Sequence, residues 1–227
     1  KRSQIDFQDL LYVKMRESGT EVSKGVPSPS GMEIGSGVRA GSTVKVYTPG
    51  ELQNTERPLD VAINGEGFLQ VTMPDGETSY TRDGALQINA NGEIVTSTGY
   101  QLEPAVMVPS DASSINISKD GTVSVVNGSG DVSQVGTLQL ARFPNPSGLS
   151  SMGDNLLKET ESSGSAIVGE AGVDGFGTFQ SGFLEKSNVQ MVSELVNLIT
   201  AQRAYEINSR AIKAGDDMLK TANRIVN

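Results

Sequence analysis

The 227-residue sequence contains no cysteine, no histidine and no tryptophan. Without cysteine the chain can form neither disulfides nor thiolate metal sites, and without histidine it lacks the commonest zinc ligand and general base. Basic residues are also few, with 18 Lys and Arg against 27 Asp and Glu and a formal net charge of −9. Because nucleic-acid binding requires a basic face, we expect no nucleic-acid partner.

The sequence also lacks long apolar runs. No stretch approaches the ~20 apolar residues that a transmembrane helix needs, so we do not expect the chain to span a membrane. Asp6, Gln8 and Asp9 occupy the positions where a secretory signal peptide would carry its apolar segment. Since the sequence does not begin with Met, we expect that residues before Lys1 have been removed. The alternatives are a cytoplasmic location and export without a cleaved signal.

Two zones precede the first clear strand pattern. Apolar residues recur near helical spacing between Ser3 and Arg16 and predict a short helix; they are Ile5, Phe7, Leu10, Leu11 and Met15. The following stretch, 18–37, is rich in Ser, Gly and Pro, and it predicts an irregular loop. This loop is either a contact or hinge element or a plain exposed connector.

Between Val38 and about Leu140 the hydrophobic period changes to two, which is the spacing of β-strands. Short turns containing Asp-Gly or Asn-Gly separate the alternating runs, and these dipeptides supply the positive φ of tight hairpin turns. The turns end at Gly76, Gly84, Gly92, Gly121 and Gly130. This pattern predicts a small antiparallel β domain with a core made mainly of Val, Ile and Leu.

The C-terminal region predicts one long helix. From Ser187 to Asn227 there is no Pro and a single Gly, which predicts a helix of roughly 60 Å, with Ser187 or Asn188 at its N-cap. Large apolar residues repeat every seven positions, and short residues stand three positions after them. We call the seam the set Leu195, Leu198, Ala201, Tyr205, Asn208, Ile212, Gly215, Leu219, Ala222 and Val226. A seven-residue repeat is typical of helix–helix packing, so we predict an assembly interface here; the alternative is a helix that folds back over the β domain.

Motifs with catalytic potential are weak. The segment Asn64–Gln70 contains G-x-G but lacks the third glycine of a dinucleotide site, and it is interpreted as a β turn. Ser42–Lys45 fits the S-x-x-K pattern of some acyl-serine enzymes, yet it lies on a predicted strand. Asp75, Glu77 and Asp83 could pair as glycosidase carboxylates, but each lies at or beside a turn. We therefore expect no enzyme activity, no catalytic residue, no cofactor and no metal site.

Several runs of the sequence together resemble a known family. Leu59–Val71 (LDVAINGEGFLQV) and Tyr80–Leu102 resemble the central signature of the bacterial flagellar rod and hook proteins, and Gly182–Ile212 resembles their C-terminal signature. Phe7–Tyr12 (FQDLLY) is similar to the segment that follows the family's N-terminal helix. The stretch 12–36 and the run SMGDNLL at 151–157 are most similar to the members that form the distal rod. The N-terminal helical segment of the family is absent from this sequence.

The resemblance implies a structural subunit of the flagellar basal body. In this family the C-terminal helix pairs with the N-terminal helix and with neighbouring copies to form the inner tube of a hollow axle, which identifies the expected partner of the seam. The implied partners are further copies of the chain in a helical tube, proximal rod proteins and the hook protein at its ends, surrounding ring proteins and the flagellar type III export apparatus. A rod that spans the periplasm, and export without a cleaved signal peptide, are implied as well.

We therefore expect a mostly β fold with a long C-terminal α-helix: a small antiparallel β domain on a helical-coil stem whose N-terminal partner helix is missing. The expected domains are a connector and extended β segment at 1–60, an outer β domain at 61–165, a return connector at 166–186 and an inner-tube helix at 187–227. The alternatives are a proximal rod or hook-type axial protein, and a secreted fibre or adhesin module outside the flagellum.

Overall fold

The computed structural model describes residues 1–17, 21–23, 26–27 and 31–226. They form two compact units, Lys1–Lys186 and Ser187–Asn227. Antiparallel strand pairs build the first unit, and an α-helix builds the second. The predicted mostly β fold with a long C-terminal helix is therefore confirmed.

The described residues between 2 and 46 form a long two-stranded hairpin, called the ribbon. Its strands are β1 (Arg2–Asp9), β2 (Tyr12–Arg16), β3 (Glu21–Ser23), β4 (Val26–Pro27), β5 (Met32–Gly35) and β6 (Val38–Val46). β1 pairs with β6, β2 with β5 and β3 with β4. Backbone hydrogen bonds from Leu10 to Gly37 and from Ser36 to Leu11 join the first two ladders into one. At ~3.3 Å for each residue, this joined ladder is about 50 Å long.

The helix predicted between Ser3 and Arg16 is wrong, because strands β1 and β2 occupy these positions. The apolar Ile5 and Phe7 alternate with polar residues, so β1 fits the strand period as well as the helical one. Pairing with β6 satisfies backbone groups along the whole of β1. An isolated helix of about 14 residues would be marginal in water by comparison.

The irregular loop predicted at 18–37 is also wrong in part. Strands β3, β4 and β5 lie within it, and β5 pairs with β2. The physical reason is the hairpin: once β2 and β5 pair, the chain between them continues as two neighbouring strands. Pro27 is tolerated because each strand of a two-stranded ladder is an edge. The parts of this loop at 18–20, 24–25 and 28–30 lie outside the described residues.

Residues 47–186 form the β body. Its strands are β7 (Leu52–Asn54), β8 (Val61–Asn64), β9 (Leu69–Thr72), β10 (Thr78–Thr81), β11 (Leu86–Ile88), β12 (Ile94–Thr96), β13 (Gln101–Glu103), β14 (Ala112–Ile117), β15 (Thr122–Asn127), β16 (Val132–Thr137), β17 (Gln139–Arg142), β18 (Ser150–Gly153), β19 (Leu156–Lys158), β20 (Ile167–Glu170), β21 (Thr178–Ser181) and β22 (Phe183–Glu185). A 3-10 turn lies at Pro146–Gly148.

The sheets of the β body bring its end back to its beginning. One sheet has seven strands in the order β11-β12-β13-β9-β10-β19-β18, and β14, β15 and β16 form another. β17 pairs with β20, whereas β21 returns to β8 and β22 to β7. The last strands are therefore held against the first ones. The division into an outer domain at 61–165 and a return connector at 166–186 stays a prediction.

The core of the β body is mainly aliphatic, as the sequence predicts. Its main cluster consists of Val, Ile and Leu with one Ala and two Phe, and the fully buried members include Val71, Leu86, Ile94, Val123 and Leu140. A second cluster is built around aromatic rings, with Ala141, Leu149 and Leu157 beside them. Tyr80 and Phe143 meet edge to face with ring centroids 4.8 Å apart, and Phe68 meets Phe143 at 5.9 Å and Tyr47 at 5.5 Å.

Four of the five predicted turn glycines have the positive φ that such turns require. Gly76, Gly92, Gly121 and Gly130 have φ between 83° and 89°. The prediction for Gly84 is wrong, because its φ is not positive and it lies in a connection between β10 and β11, which do not pair with each other. This glycine is needed for close packing instead of for a turn.

The second unit is helix α1 (Met191–Val226), which has 36 residues and is roughly 54 Å long. It begins later than the predicted caps. The N–H of Glu194 donates to the carbonyl of Gln190, whereas the hydroxyl of Ser187 accepts from the N–H of Val189 before the helix starts. Gln190 therefore takes the N-cap position. In the described part of the chain, no helix combines the length and apolar character needed to cross a membrane.

Candidate assembly surfaces

The seam lies along one continuous helix, and its large side chains are exposed. Leu195, Leu198, Tyr205, Ile212 and Leu219 are between 54% and 76% exposed. The short members Ala201, Asn208, Gly215 and Ala222 stand between them, and Val226 ends the helix. Covering apolar surface gains about 25 cal/mol for each Å² removed from water. The seam is thus available for a partner, and its role as an interface stays a prediction.

Charged residues recur on the face opposite the seam, among exposed apolar residues such as Ile199. Arg203, Arg210, Asp217 and Arg224 each follow a large seam residue by five positions, which places them about 140° away around the helix. Seven residues fall short of two full turns by about 20°, so the seam drifts around a straight helix. A partner helix would therefore follow the seam along a left-handed path.

Gly215 has no packing role within the described chain. A Cβ atom added there would meet no heavy atom within 4 Å. Glycine in a helix interior costs ~1 kcal/mol against alanine, so its presence needs a reason. Close approach of a partner backbone would supply that reason, because a methyl group at this position would stand between the two helices.

A second exposed apolar surface, which sequence reasoning missed, runs along the ribbon. Leu11 is 89% exposed. More than half of each of the following side chains is exposed as well: Ile5, Phe7, Tyr12, Val13, Met15, Met32, Ile34 and Val38. Extended exposed apolar patches of this kind mark interaction sites. Alternation of apolar and polar residues in β1 was the signal for a strand, but helical spacing fitted the same residues.

Charge is distributed unevenly between the ribbon and the β body. Residues 47–186 contain 18 of the 27 acidic residues but only 6 of the 18 basic ones. Residues 1–46 contain 7 basic and 5 acidic residues. The net acidity of the chain therefore belongs to the β body, whereas the ribbon is slightly basic. Opposite net charges favour contact between a ribbon and the body of another copy.

The root of the ribbon meets the end of the β body at Glu185 on β22. The side chain of Glu185 is 5% exposed. Its carboxylate accepts hydrogen bonds from the Gly50 N–H at 2.7 Å, from Nε of Arg82 at 2.5 Å and from Nζ of Lys1. Burial alone would raise the pKa of Glu185, but the hydrogen bonds from Lys1, Gly50 and Arg82 outweigh it and hold the pKa below its ordinary value.

The guanidinium of Arg82 is fixed by the β body. Its Nη1 donates to the carbonyl of Gly67, and its Nη2 donates to the carbonyls of Ile63 and Gly65, each at 2.9 Å. These carbonyls belong to β8 and the turn that follows it, where Gly65 and Gly67 have positive φ. Sequence reasoning assigned Arg82 to a hairpin turn and missed this role, because its partners lie far apart along the chain.

The residues of the weak catalytic motifs either accept backbone hydrogen bonds in turns or lie on a strand of the ribbon. Asp75 and Asp83 each accept, through Oδ1, the N–H two residues ahead, at 3.1 Å in both cases. Ser42 and Lys45 lie on β6, where Ser42 pairs with Asp6 across the ribbon. Among the described residues, no three His, Cys, Asp or Glu side chains are grouped so that they could hold a metal ion.

Two protein-family models match the chain. The flagellar hook protein FlgE/F/G D1 domain matches residues 62–125, which lie in the β body. The flagellar basal body rod FlgEFG protein C-terminal model matches residues 180–225, which include β22, Glu185 and nearly the whole seam. The matched regions contain Tyr80–Leu102, Gly182–Ile212 and most of Leu59–Val71, whereas the runs at 7–12, 12–36 and 151–157 lie outside them.

Curated relatives match the chain over almost its whole length. The flagellar basal-body rod protein FlgG of Buchnera aphidicola subsp. Acyrthosiphon pisum is 46% identical, over 99% of this chain and 87% of its own length. The proteins of the same name from Caulobacter vibrioides and Borreliella burgdorferi are 43% and 42% identical, again over 99% of this chain and over 87% and 86% of their own lengths.

Proposed function

Because the chain belongs to the family of the flagellar basal-body rod protein FlgG, we propose that it polymerises into the rigid, hollow axle of the distal rod as its structural subunit. The three relatives described above are named as basal-body rod proteins, which supports a rod subunit over a hook-type protein or an adhesin. The observation that carries the mechanism is the exposed seam, a row of large apolar side chains with short residues beside it.

The seam supports the inner wall of the axle. Fully burying a Leu or Ile side chain contributes ~1.5–3 kcal/mol, and the large seam residues are more than half exposed. A partner helix would therefore gain about 1–2 kcal/mol at each of them. Contacts that join different surfaces of successive copies generate a helical assembly when the rotation between copies does not close into a ring. Residues 187–227 form the inner tube in this proposal, and residues 61–165 form the outer domain.

The ribbon is the proposed second contact between copies. Its exposed apolar side chains need a cover, and the acidic β body of a neighbouring copy complements its basic character. A brace of this kind limits the movement of one subunit against the next, as torque transmission requires. The described parts of the stretch that was predicted as a loop, at 21–23, 26–27 and 31–37, belong to this brace.

The proposed surroundings of the rod follow from the family. We propose proximal rod proteins and the hook protein at the two ends, ring proteins around the axle in the periplasm, and delivery by the flagellar export apparatus without a cleaved signal. The acidic β body is the surface that this arrangement presents outward. Neither nucleic acid nor a lipid bilayer has a role in it.

The seam can be tested with a pair of matched substitutions on α1. Ile212 lies in the seam, whereas Ile207 lies about 130° away from the centre of the seam, and the two are 67% and 65% exposed. Ile212→Asp places a charge in the proposed helix contact, and Ile207→Asp places the same charge outside it. We expect rods and swimming to be lost with Ile212→Asp and retained with Ile207→Asp, in source cells that lack the wild-type gene.

Two outcomes would count against the proposal. Normal rods with Ile212→Asp would show that the seam is not an assembly contact. Equal loss of rods with both variants would show that contacts surround the helix instead of following a single seam. Isolated basal bodies should contain the wild-type chain in amounts comparable to other axial proteins. If the chain is fully expressed in the cell but absent from isolated basal bodies, the proposed rod function is wrong.

A further inference from the structure

Among the ribbon residues whose burial the structure describes, only those at the root are partly buried. All residues of β1 are exposed, and along β6 only Lys45 and Val46 at its end are partly buried. Next to them the ring of Tyr47 packs on Phe68 of the body. A ribbon with a ladder of about 50 Å is thus oriented by contacts within a few residues of its attachment.

Two groups from the root converge on Glu185. The Gly50 N–H comes from the segment that follows β6, and Lys1 lies directly before β1. Nζ of Lys1 also donates to the carbonyl of Thr48 at 3.0 Å, so it connects the two strands of the ribbon at their base. Glu185 therefore contacts both the beginning and the end of the ribbon.

The opposite side of Glu185 is anchored in the β body. Arg82 donates to its carboxylate through Nε and uses its other donors on the carbonyls of Ile63, Gly65 and Gly67. A bifacial arrangement results, with a fixed guanidinium on one side of the carboxylate and the ribbon root on the other. Hydrogen bonds between charged groups are short and roughly twice as strong as neutral ones, and they also fix direction.

We propose that Glu185 is a positioning residue that sets the direction in which the ribbon leaves the β body. This inference rests on the proposed function only for its consequence, which is that the brace reaches the correct place on the neighbouring copy. The orientation itself is a property of the single chain and does not depend on a neighbouring copy. A second set of contacts holds the end of β6 against the β body. The hydroxyl of Ser147 donates to the carbonyl of Lys45 at 3.0 Å, and Nζ of Lys45 contacts Ser151.

The orientation of the ribbon can be measured in the isolated full chain by double electron–electron resonance. The chain contains no cysteine, so spin labels attach only at introduced positions. We choose Arg39→Cys on the exposed part of β6 and Asn91→Cys in an exposed turn of the body. A second labelled pair, Asn91→Cys with Glu161→Cys, lies within the body and reports whether the body stays folded.

Lys1→Met is the informative substitution, because it removes the ribbon's ammonium and leaves the Arg82–Glu185 pair in place. We expect the ribbon-to-body distance distribution to widen about twofold, since the charge-assisted hydrogen bond to Glu185 is lost. Glu185→Gln should widen it as well. Lys1→Arg keeps the charge and should restore the narrow distribution. The matched control is Lys158→Met, which breaks a Lys–Glu pair with Glu77 on the body surface and should change nothing.

An unchanged distribution in Lys1→Met would overturn the proposal. Widening in Lys158→Met as large as in Lys1→Met would overturn it too, because any lost surface charge would then have the same effect. The within-body pair must keep its distance in all variants. Failure of the rod function would appear as chains absent from basal bodies, whereas failure of this inference appears in the isolated chain.

Discussion

Gly84 shows how a single residue lets the connection between β10 and β11 lie at contact distance from β8. A Cβ atom built on Gly84 would lie 1.7 Å from the carbonyl oxygen of Val61. The two backbones are also held together, because the N–H of Val61 donates to the carbonyl of Gly84 at 2.9 Å. No side-chain movement can relieve a contact between two backbones, so glycine is required here for its lack of a side chain.

We predict that Gly84→Ala destabilises the chain by about 3 kcal/mol, because the two backbone segments must separate. Gly130→Ala is the control, since its φ of 89° is unfavourable for alanine but no atom lies within 4 Å of the added Cβ. It should cost about 1 kcal/mol. Urea unfolding followed by circular dichroism measures both values. Equal costs for the two variants would contradict the packing explanation.

The carboxyl of Glu185 predicts a specific dependence of stability on pH. Lys1, the Gly50 N–H and Arg82 hold its pKa below the ordinary value in the folded chain. Its contribution to the free energy of unfolding is therefore complete above the ordinary glutamate pKa of ~4.3 and is lost as pH falls through the folded-state value.

The measurement is the difference in unfolding free energy between wild type and Glu185→Gln at several pH values. Other carboxyl groups titrate in both proteins and largely cancel in the difference. We expect the difference to be largest near neutral pH and to shrink below about pH 4, where wild-type Glu185 becomes protonated. A difference that is constant over this range would mean that the charge of Glu185 adds nothing to stability.

At the scale of elements, one substitution in helix α1 should affect the stability of the single chain and the assembly of copies in opposite directions. Gly215→Ala should raise the helix content of the isolated chain, because alanine is ~1 kcal/mol more favourable in a helix interior and open space surrounds this position. Assembly should suffer, since the methyl group would separate two closely packed helices. Circular dichroism and the yield of rods measure the two effects, with Ala214→Gly as the reverse control on helix propensity. Rods formed normally by Gly215→Ala would show that no backbone approaches there.

The elements differ in how far the sequence alone could predict them. Runs such as Thr122–Asn127 alternate over most of their length and end at Asn-Gly or Asp-Gly turns, so their strands were predictable from local chemistry. The helix α1 was predictable because its seven-residue repeat extends over many turns. β1 was not, because its few apolar residues fit two periods and the partner that decides between them, β6, begins about 30 residues later.

The candidate site divides in the same way. The seam is local, so its residues could be named from spacing alone. The root of the ribbon combines Lys1, Gly50, Arg82 and Glu185, which lie up to 184 positions apart. No spacing rule connects such residues, and only the return of β22 to β7 brings them together. Local periodicity therefore finds surfaces made by one element and misses those that need the complete topology.

For the whole molecule, the two units should differ in their dynamics before assembly. The β body has a continuous core of fully buried side chains, whereas the large seam residues of α1 are exposed. Most helix stability in proteins comes from packing of an apolar face, so an uncovered helix opens readily. We predict that amide hydrogens of α1 exchange much faster than those of β8–β10 in the isolated chain and become protected in rods. Equal protection before assembly would contradict this view.

The ribbon has a mechanical consequence beyond its surface chemistry. Both of its strands, β1 and β6, return to the same root, so a pull along its length is shared by two covalent backbones in parallel. The ladder bonds between the strands run across the pull and stay unloaded. Under compression, a ribbon that is only two strands wide buckles easily. A ribbon docked on its neighbour would therefore behave as a strap, strong in tension and weak in compression, and it would brace the axle more firmly against one sense of twist than against the other.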